Sequence, residues 1–344
     1  MSVPAHARRA YSWLRRGRRR LHGPAALRRA YVAAADIDAG ARAWWAVRAF
    51  YLVALHFAFE TQGNLQRLGA SDRHIDPLWP VAWVHDGILA AAANAIGLAF
   101  LVSAVLAVLV PGRRAPRLLV ALFYLQALAL ENSFGSINHN GHLGLWLALC
   151  FMALPAGSLD DLRRSRARRH EYLAMFFLAQ SLVALFYASS GARKAYYGFV
   201  VPEGAVSSFA PDALPLLVVQ QWLETGDQPL LADLFIQHLW LAWPAHLMVI
   251  YIELFAIVAI FRRELHQLWG ALLITFHLLV WLLLDVSFAY QPVLLALLLV
   301  WSPFAPQPHP SAGQILRQLP GLGDLIGLFR RPPPPAAVPS SGPS

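Results

Sequence analysis

Apolar runs close to the thickness of a bilayer recur along this chain, and they restrict it to elements that satisfy their own backbone. A helix needs ~20 residues to cross ~30 Å of hydrocarbon, and inside lipid every N–H and C=O must find its partner within the protein. Eight runs are read, at about 43–61, 87–110, 117–134, 141–157, 171–190, 240–261, 268–286 and 288–305, the fourth and eighth being short. The predicted fold class is therefore all-α, a polytopic transmembrane helical bundle of about eight spans. With 58% hydrophobic and 14% charged residues, the chain carries too few charges to cover a soluble surface of its size.

Arginine placement orients the bundle, because short loops facing the cytoplasm collect Lys and Arg. Putting the N-terminus inside leaves Arg67, Arg73, Arg193 and Lys194 on the outer side and Arg48 within the first run. Every other basic residue falls inside. Both termini are then cytoplasmic. The formal net charge of +9 is spread over all the inner loops, so it is read as a topology signal and not as a nucleic-acid surface. Residues 1–40 form a basic cytoplasmic arm suited to anionic lipid, 41–305 the membrane domain, and 306–344 a cytoplasmic tail. In that tail a short helix near 311–330 precedes a disordered stretch containing Pro332, Pro333, Pro334 and Pro335. The first apolar run begins some forty residues in and lacks a small-residue cleavage site, which argues against a secretory signal. Cys150, the single cysteine, permits neither an internal disulfide nor a cysteine-based metal site and reads as a packing residue.

Against 27 arginines the sequence holds one lysine, Lys194, where the fifth run ends in Tyr187-Ala188-Ser189-Ser190-Gly191-Ala192-Arg193-Lys194. An amine can be driven to its neutral, basic form by desolvation and a neighbouring cation, whereas guanidinium stays charged. An arginine-favouring genome explains the rarity of lysine but not its position. Ionisable groups at membrane depth are functional candidates by default. Arg48 is expected to pair with a carboxylate or a lipid phosphate. Glu253, in Ile250-Tyr251-Ile252-Glu253-Leu254-Phe255, must be protonated or matched to a donor, with Arg48 or a histidine as the structural partner. His277, mid-run on an otherwise apolar helix, reads first as a core histidine hydrogen-bonded to a neighbour and second as a functional group. The turn Glu131 to His142 is dense in donors and acceptors, and His139 and His142 stand three apart, a weak metal spacing without a third ligand. Asp285 and Gln291 close the last hairpin near the same face.

From about Ala41 to Phe304 the chain resembles the vitamin K-dependent gamma-carboxylase superfamily, including the bacterial horizontally transferred transmembrane (HTTM) domain proteins. The likeness rests on the order and spacing of Asn138-His139 before Leu143-Gly144-Leu145, Ser190-Gly191-Ala192-Arg193-Lys194 followed by Glu203-Gly204, Glu253, Phe276-His277 and Ser302-Pro303-Phe304. The resemblance implies Lys194 as the base toward a reduced quinone of the vitamin K hydroquinone type. It further implies His139 as catalytic partner, Asn138 orienting it, and His277, Arg193 and Glu253 around the substrate. It departs from the animal enzymes in lacking the tryptophan between lysine and Glu-Gly, where Phe199, Val200 and Val201 stand, and in allowing no disulfide. The animal enzymes also carry a large lumenal domain that grips the substrate's propeptide, whereas here the sequence ends soon after the eighth run, so carboxylation of protein glutamate is not expected.

Two functions follow for a multi-pass protein of the bacterial cytoplasmic membrane. One is amine-assisted deprotonation of a quinol-like amphipathic substrate at the outer face, with a quinone reductase as a natural partner. The other is a non-enzymatic chaperone, immunity factor or maturation partner for a secreted peptide, with Lys194 as a snorkelling anchor replaceable by arginine. No inverted repeat or pair of broken helices suggests a transporter.

Overall fold

In the computed structural model, residues 36–135, 137, 139–306, 309–321 and 323 are described. Most of the basic arm, Asn138 and the proline run of the tail lie outside them. The described residues form helices and no strand. The helices are α1 (Ile37–Gly69), α2 (Leu89–Leu109), α3 (Arg114–Glu131), α4 (His142–Met152), α5 (Leu159–Arg164) and α6 (Arg166–Phe199). They continue as α7 (Ala213–Thr225), α8 (Ala232–Gln237), α9 (Leu239–Leu254), α10 (Ala256–Ile260), α11 (His266–Leu284), α12 (Tyr290–Leu295) and α13 (Ala312–Gln318).

Three helical segments, Asp86–Leu109, Arg166–Phe199 and Arg263–Leu284, are long and apolar enough to cross a membrane. Their outward faces stay apolar: Leu98, Val102, Val105 and Leu109 form an exposed stripe along α2, and Leu278 and Trp281 do so on α11. Water would penalise such stripes; lipid does not. Segments α4, α9 and Tyr290–Val300 are apolar but shorter. A break at Phe255 divides the sixth apolar run into α9 and α10, and a π-helical turn at Ala296–Val300 continues α12. Helices α7 and α8 are too short to register as spans; they cover a small cluster of Val218, Ala232, Phe235, Ala242 and Leu283. Within the tail helix expected near 311–330, Ala312–Gln318 is helical and started by a Ser311–Gln314 capping box, while residues 322 and 324–330 lie outside those described.

α1 lies along α2, α2 along α3, and α6 is central, touching α1, α4, α9 and α10. One core joins them, with Tyr51, Phe100, Phe151, Phe176 and Trp269 fully buried. Two arginines of the inner-loop set are structural. Arg117, 1% exposed, donates to the carbonyls of Phe151, Leu154 and Pro155 and so closes the C-terminal end of α4. Arg169 does the same for α5 through the carbonyls of Leu162 and Arg163.

The α6 helix runs five residues beyond Lys194 before Val200 turns extended and Pro202 prevents its resumption. The lysine therefore sits inside a helix, where its direction is set by helical geometry, and not at a frayed end.

Candidate functional site

Tyr187, Ser190, Gly191 and Lys194 fall at i, i+3, i+4 and i+7 of α6, which places them on one face. That face meets α9, whose His246, Ile250 and Glu253 repeat with the same period and are buried. Gly191 permits the contact. A Cβ at Gly191 would lie 2.3 Å from the Leu254 backbone nitrogen and 2.7 Å from its Cα, so only hydrogen fits between the two backbones.

Close approach brings Lys194 Nζ to 2.5 Å from Glu253 Oε2. Ser190 Oγ accepts from Lys194 Nζ at 3.0 Å and donates to Glu253 Oε1 at 3.3 Å, closing a three-residue network. Both carboxylate oxygens are thus engaged, as a buried carboxylate requires. The Glu253 side chain is 4% exposed and that of Lys194 is 32% exposed, so the amine forms the accessible end of the pair. An amine and a carboxylate at this separation can pass a proton between them without moving heavy atoms. The donor for Glu253 is Lys194. Arg48 instead lies 5.4 and 5.8 Å from the ring centroids of Trp44 and Trp45, a cation–π arrangement that shelters its charge within α1. Arg193, one residue before the lysine, points elsewhere and lies over the Tyr197 ring at 5.7 Å.

A second layer extends the network sideways. His246 is within electrostatic reach of Lys194 and hydrogen-bonds the Ser208 backbone. Tyr187 is within reach of Glu253, and its hydroxyl lies 2.6 Å from His277 Nε2 on α11. His277 is buried between the rings of Phe276 and Phe288, and its Nδ1 has no hydrogen-bond partner among the described residues. Such an orphaned buried nitrogen is uncommon.

The His139 turn is built separately. His139 and His142 approach Nδ1 to Nδ1 at 3.0 Å, one N–H donating to the other ring's lone pair. Asn140 is anchored against the loop between α11 and α12, its side chain donating to the Ser287 carbonyl at 3.5 Å and its own carbonyl accepting from Gln291 Nε2 at 3.0 Å. That loop also carries Phe288, which packs on His277. Among the described residues no hydrogen bond, ion pair or ring contact joins His139 directly to Lys194, and no cluster of three or more His, Cys, Asp or Glu is placed to hold a metal ion. Asn138 lies outside the described residues.

Sequence reasoning did not single out Ser190, Tyr187, His246 or Gly191 as site residues. The signal for three of them was present in the α6 spacing, since Lys194 at helical register implicates positions 187, 190 and 191. His246 had no comparable signal, because only tertiary packing selects which face of α9 meets the lysine. No protein-family model, no curated protein and no solved structure matches this chain.

Proposed function

We propose that this is an eight-span protein of the bacterial cytoplasmic membrane, both termini inside, that takes a proton from a hydroxyl of a quinol-like amphipathic molecule at its outer face. The observation that carries the reading is the Lys194–Glu253 couple, with its carboxylate sealed in protein and its amine accessible. From Arg166 to Lys194 the helix rises roughly 40 Å, more than the ~30 Å hydrocarbon core. If the arginine-rich start of α6 marks the inner boundary, the amine reaches the outer one. The order and spacing of motifs that resemble HTTM and gamma-carboxylase sequences would give Lys194 the same role.

A reduced quinone, when bound, supplies an acidic O–H and an apolar ring. Lys194 would meet its hydroxyl, and His277, with the Phe276 and Phe288 rings packed on it, lies beside the couple through Tyr187. Lys194 Nζ would take the hydroxyl proton as it passes one of its own to Glu253 Oε2 across 2.5 Å, leaving an ammonium beside a protonated carboxyl and a substrate anion, and Ser190 fixes the pair's orientation. By the same resemblance His139 would serve as a charge-stabilising partner and Arg193 would lie near the substrate. A quinone reductase is the partner this chemistry calls for.

One observation favours a second reading. Gly191 brings α6 and α9 into backbone contact at the ion pair, as a structural clamp also would. In that reading the bundle is a non-enzymatic membrane partner for a secreted peptide. The two separate in nanodiscs under anaerobic conditions with menadiol as probe. The base reading expects the ultraviolet spectrum of bound menadiol to shift toward that of its anion with the wild type. Lys194→Ala should lose the shift, Lys194→Arg should not regain it, and Glu253→Gln should weaken it at least about tenfold. An arginine variant that matches the wild type refutes the amine as base and leaves the clamp.

A further inference from the structure

A cavity of about 340 Å³ lies between the C-terminal half of α1, the end of α3 and the start of α12, apart from the Lys194 network. Its polar wall combines carboxylates with amides and hydroxyls. Glu60 and Glu131 supply two carboxylates, and among the described residues no Lys or Arg lines it. Two further lining side chains are almost completely buried and, among the described residues, unpartnered: Thr61, 1% exposed, at Oγ1, and Gln291, 4% exposed, at Oε1. Burying such groups unpaired is costly, so their presence together points to an occupant.

The donor set restricts the occupant's chemistry. Gln291 Nε2 is committed to the Asn140 carbonyl at 3.0 Å, which obliges Oε1 to remain an acceptor. Asn64 accepts from Arg67 through Oδ1 at 2.5 Å and hydrogen-bonds Glu131 with its amide, leaving Glu131 Oε1 without a partner. Glu60 receives the Tyr290 hydroxyl on Oε2 and faces His56 Nε2 at 3.7 Å. What is missing is a positive group carrying several N–H donors. The Phe57 and Tyr290 rings, 5.2 Å apart and edge to face, provide an aromatic wall of the kind that attracts an organic cation. The volume suits a small molecule and exceeds what one metal ion fills.

We infer that this cavity binds a primary ammonium group, on either a small free amine or a lipid headgroup. An –NH₃⁺ directs its three N–H bonds at Glu131 Oε1, Gln291 Oε1 and Glu60 or Thr61, while its substituent rests on Phe57 and Tyr290.

The test uses the full chain in phosphatidylcholine nanodiscs and calorimetric titration with benzylamine. Saturable binding is expected. Benzyl alcohol, of the same shape without charge, should bind at least about tenfold more weakly, and tetramethylammonium, a cation without N–H donors, should also bind more weakly. Glu131→Gln should weaken benzylamine binding at least about tenfold. The nearly isosteric Thr61→Val keeps the packing and should weaken it about threefold or more. Absence of binding, equal binding of benzyl alcohol, or displacement of benzylamine by calcium at lower concentration than by ethanolamine overturns the assignment. In phosphatidylethanolamine nanodiscs, a reduced benzylamine affinity assigns the site to a lipid headgroup and an unchanged one to a free amine; either result supports an ammonium site. Lys194→Ala leaves benzylamine binding unchanged, so this inference and the base reading fail independently.

Discussion

Replacing Gly191 by alanine tests whether backbone contact between α6 and α9 sets the Lys194–Glu253 couple. The added Cβ would meet Leu254 N at 2.3 Å, Leu254 Cα at 2.7 Å and the Glu253 carbonyl carbon at 2.8 Å, whereas ordinary contact begins at 3.4 Å. All three are backbone atoms and cannot rotate away, so the helices must part by about 1 Å at this point. Opening a 2.5 Å Nζ–Oε2 contact by that amount carries it past hydrogen-bonding length. Overpacking of this kind costs about 1–3 kcal/mol, partly offset by the ~1 kcal/mol that alanine gains over glycine within a helix. Gly63 on α1 isolates the second term, because a Cβ there meets nothing within 4 Å. Unfolding followed by tryptophan fluorescence in detergent should therefore place Gly63→Ala at or above the wild-type midpoint and Gly191→Ala below it by several degrees. The menadiol spectral shift should weaken in the Gly191 variant alone. A Gly191→Ala protein as stable as Gly63→Ala would refute the claim that this glycine holds the helices together.

Arg117→Met should lower stability by about 3 kcal/mol, because it leaves the buried carbonyls at the end of α4 without a donor; Arg117→Lys should not recover it, one ammonium being unable to fork across the same carbonyls. The same thermal measurement checks both. Asp161, in the loop helix α5, is held below the usual carboxylate range first by the Ser158 backbone N–H, then by the Ser158 hydroxyl, with Arg168 and Arg164 assisting. A depressed carboxylate stabilises the fold above its unfolded value of about 3.9 and loses that contribution as pH falls through the folded value. The midpoint advantage of wild type over Asp161→Asn should accordingly be present at neutral pH and shrink as pH drops below about 4. A difference that is constant with pH would remove the charged form of Asp161 from the explanation.

Much of the helical architecture was legible because hydrophobic run length is a one-dimensional property. The runs at 87–110 and 268–286 correspond closely to α2 and α11, and the run at 117–134 to α3. Boundaries were less legible where polarity and helicity part company. Reading α6 by apolarity ends it near Ser190, whereas hydrogen bonding continues to Phe199, since Ala, Arg, Lys and Tyr are all good enough helix formers to extend a helix beyond its apolar stretch. The inner arginines were treated as one set of loop charges, but Arg117 and Arg169 are turned inward onto helix-terminal carbonyls. Nothing in a loop sequence distinguishes a solvated arginine from a capping one.

Composition and periodicity by themselves determined that the chain forms helices with apolar outward faces, and that Glu253 would need a partner wherever it was buried, because neither backbone polarity nor a lone carboxylate is tolerated away from water. Which partner it takes was decided by tertiary structure. Arg48, a histidine and Lys194 were all chemically competent, and selection came from a glycine that lets two helix backbones touch and thereby sets one amine against one carboxylate. The same holds for the second cavity: Glu60, Thr61, Glu131 and Gln291 are scattered over more than two hundred residues of sequence, and only the packing of α1, α3 and α12 turns them toward one space.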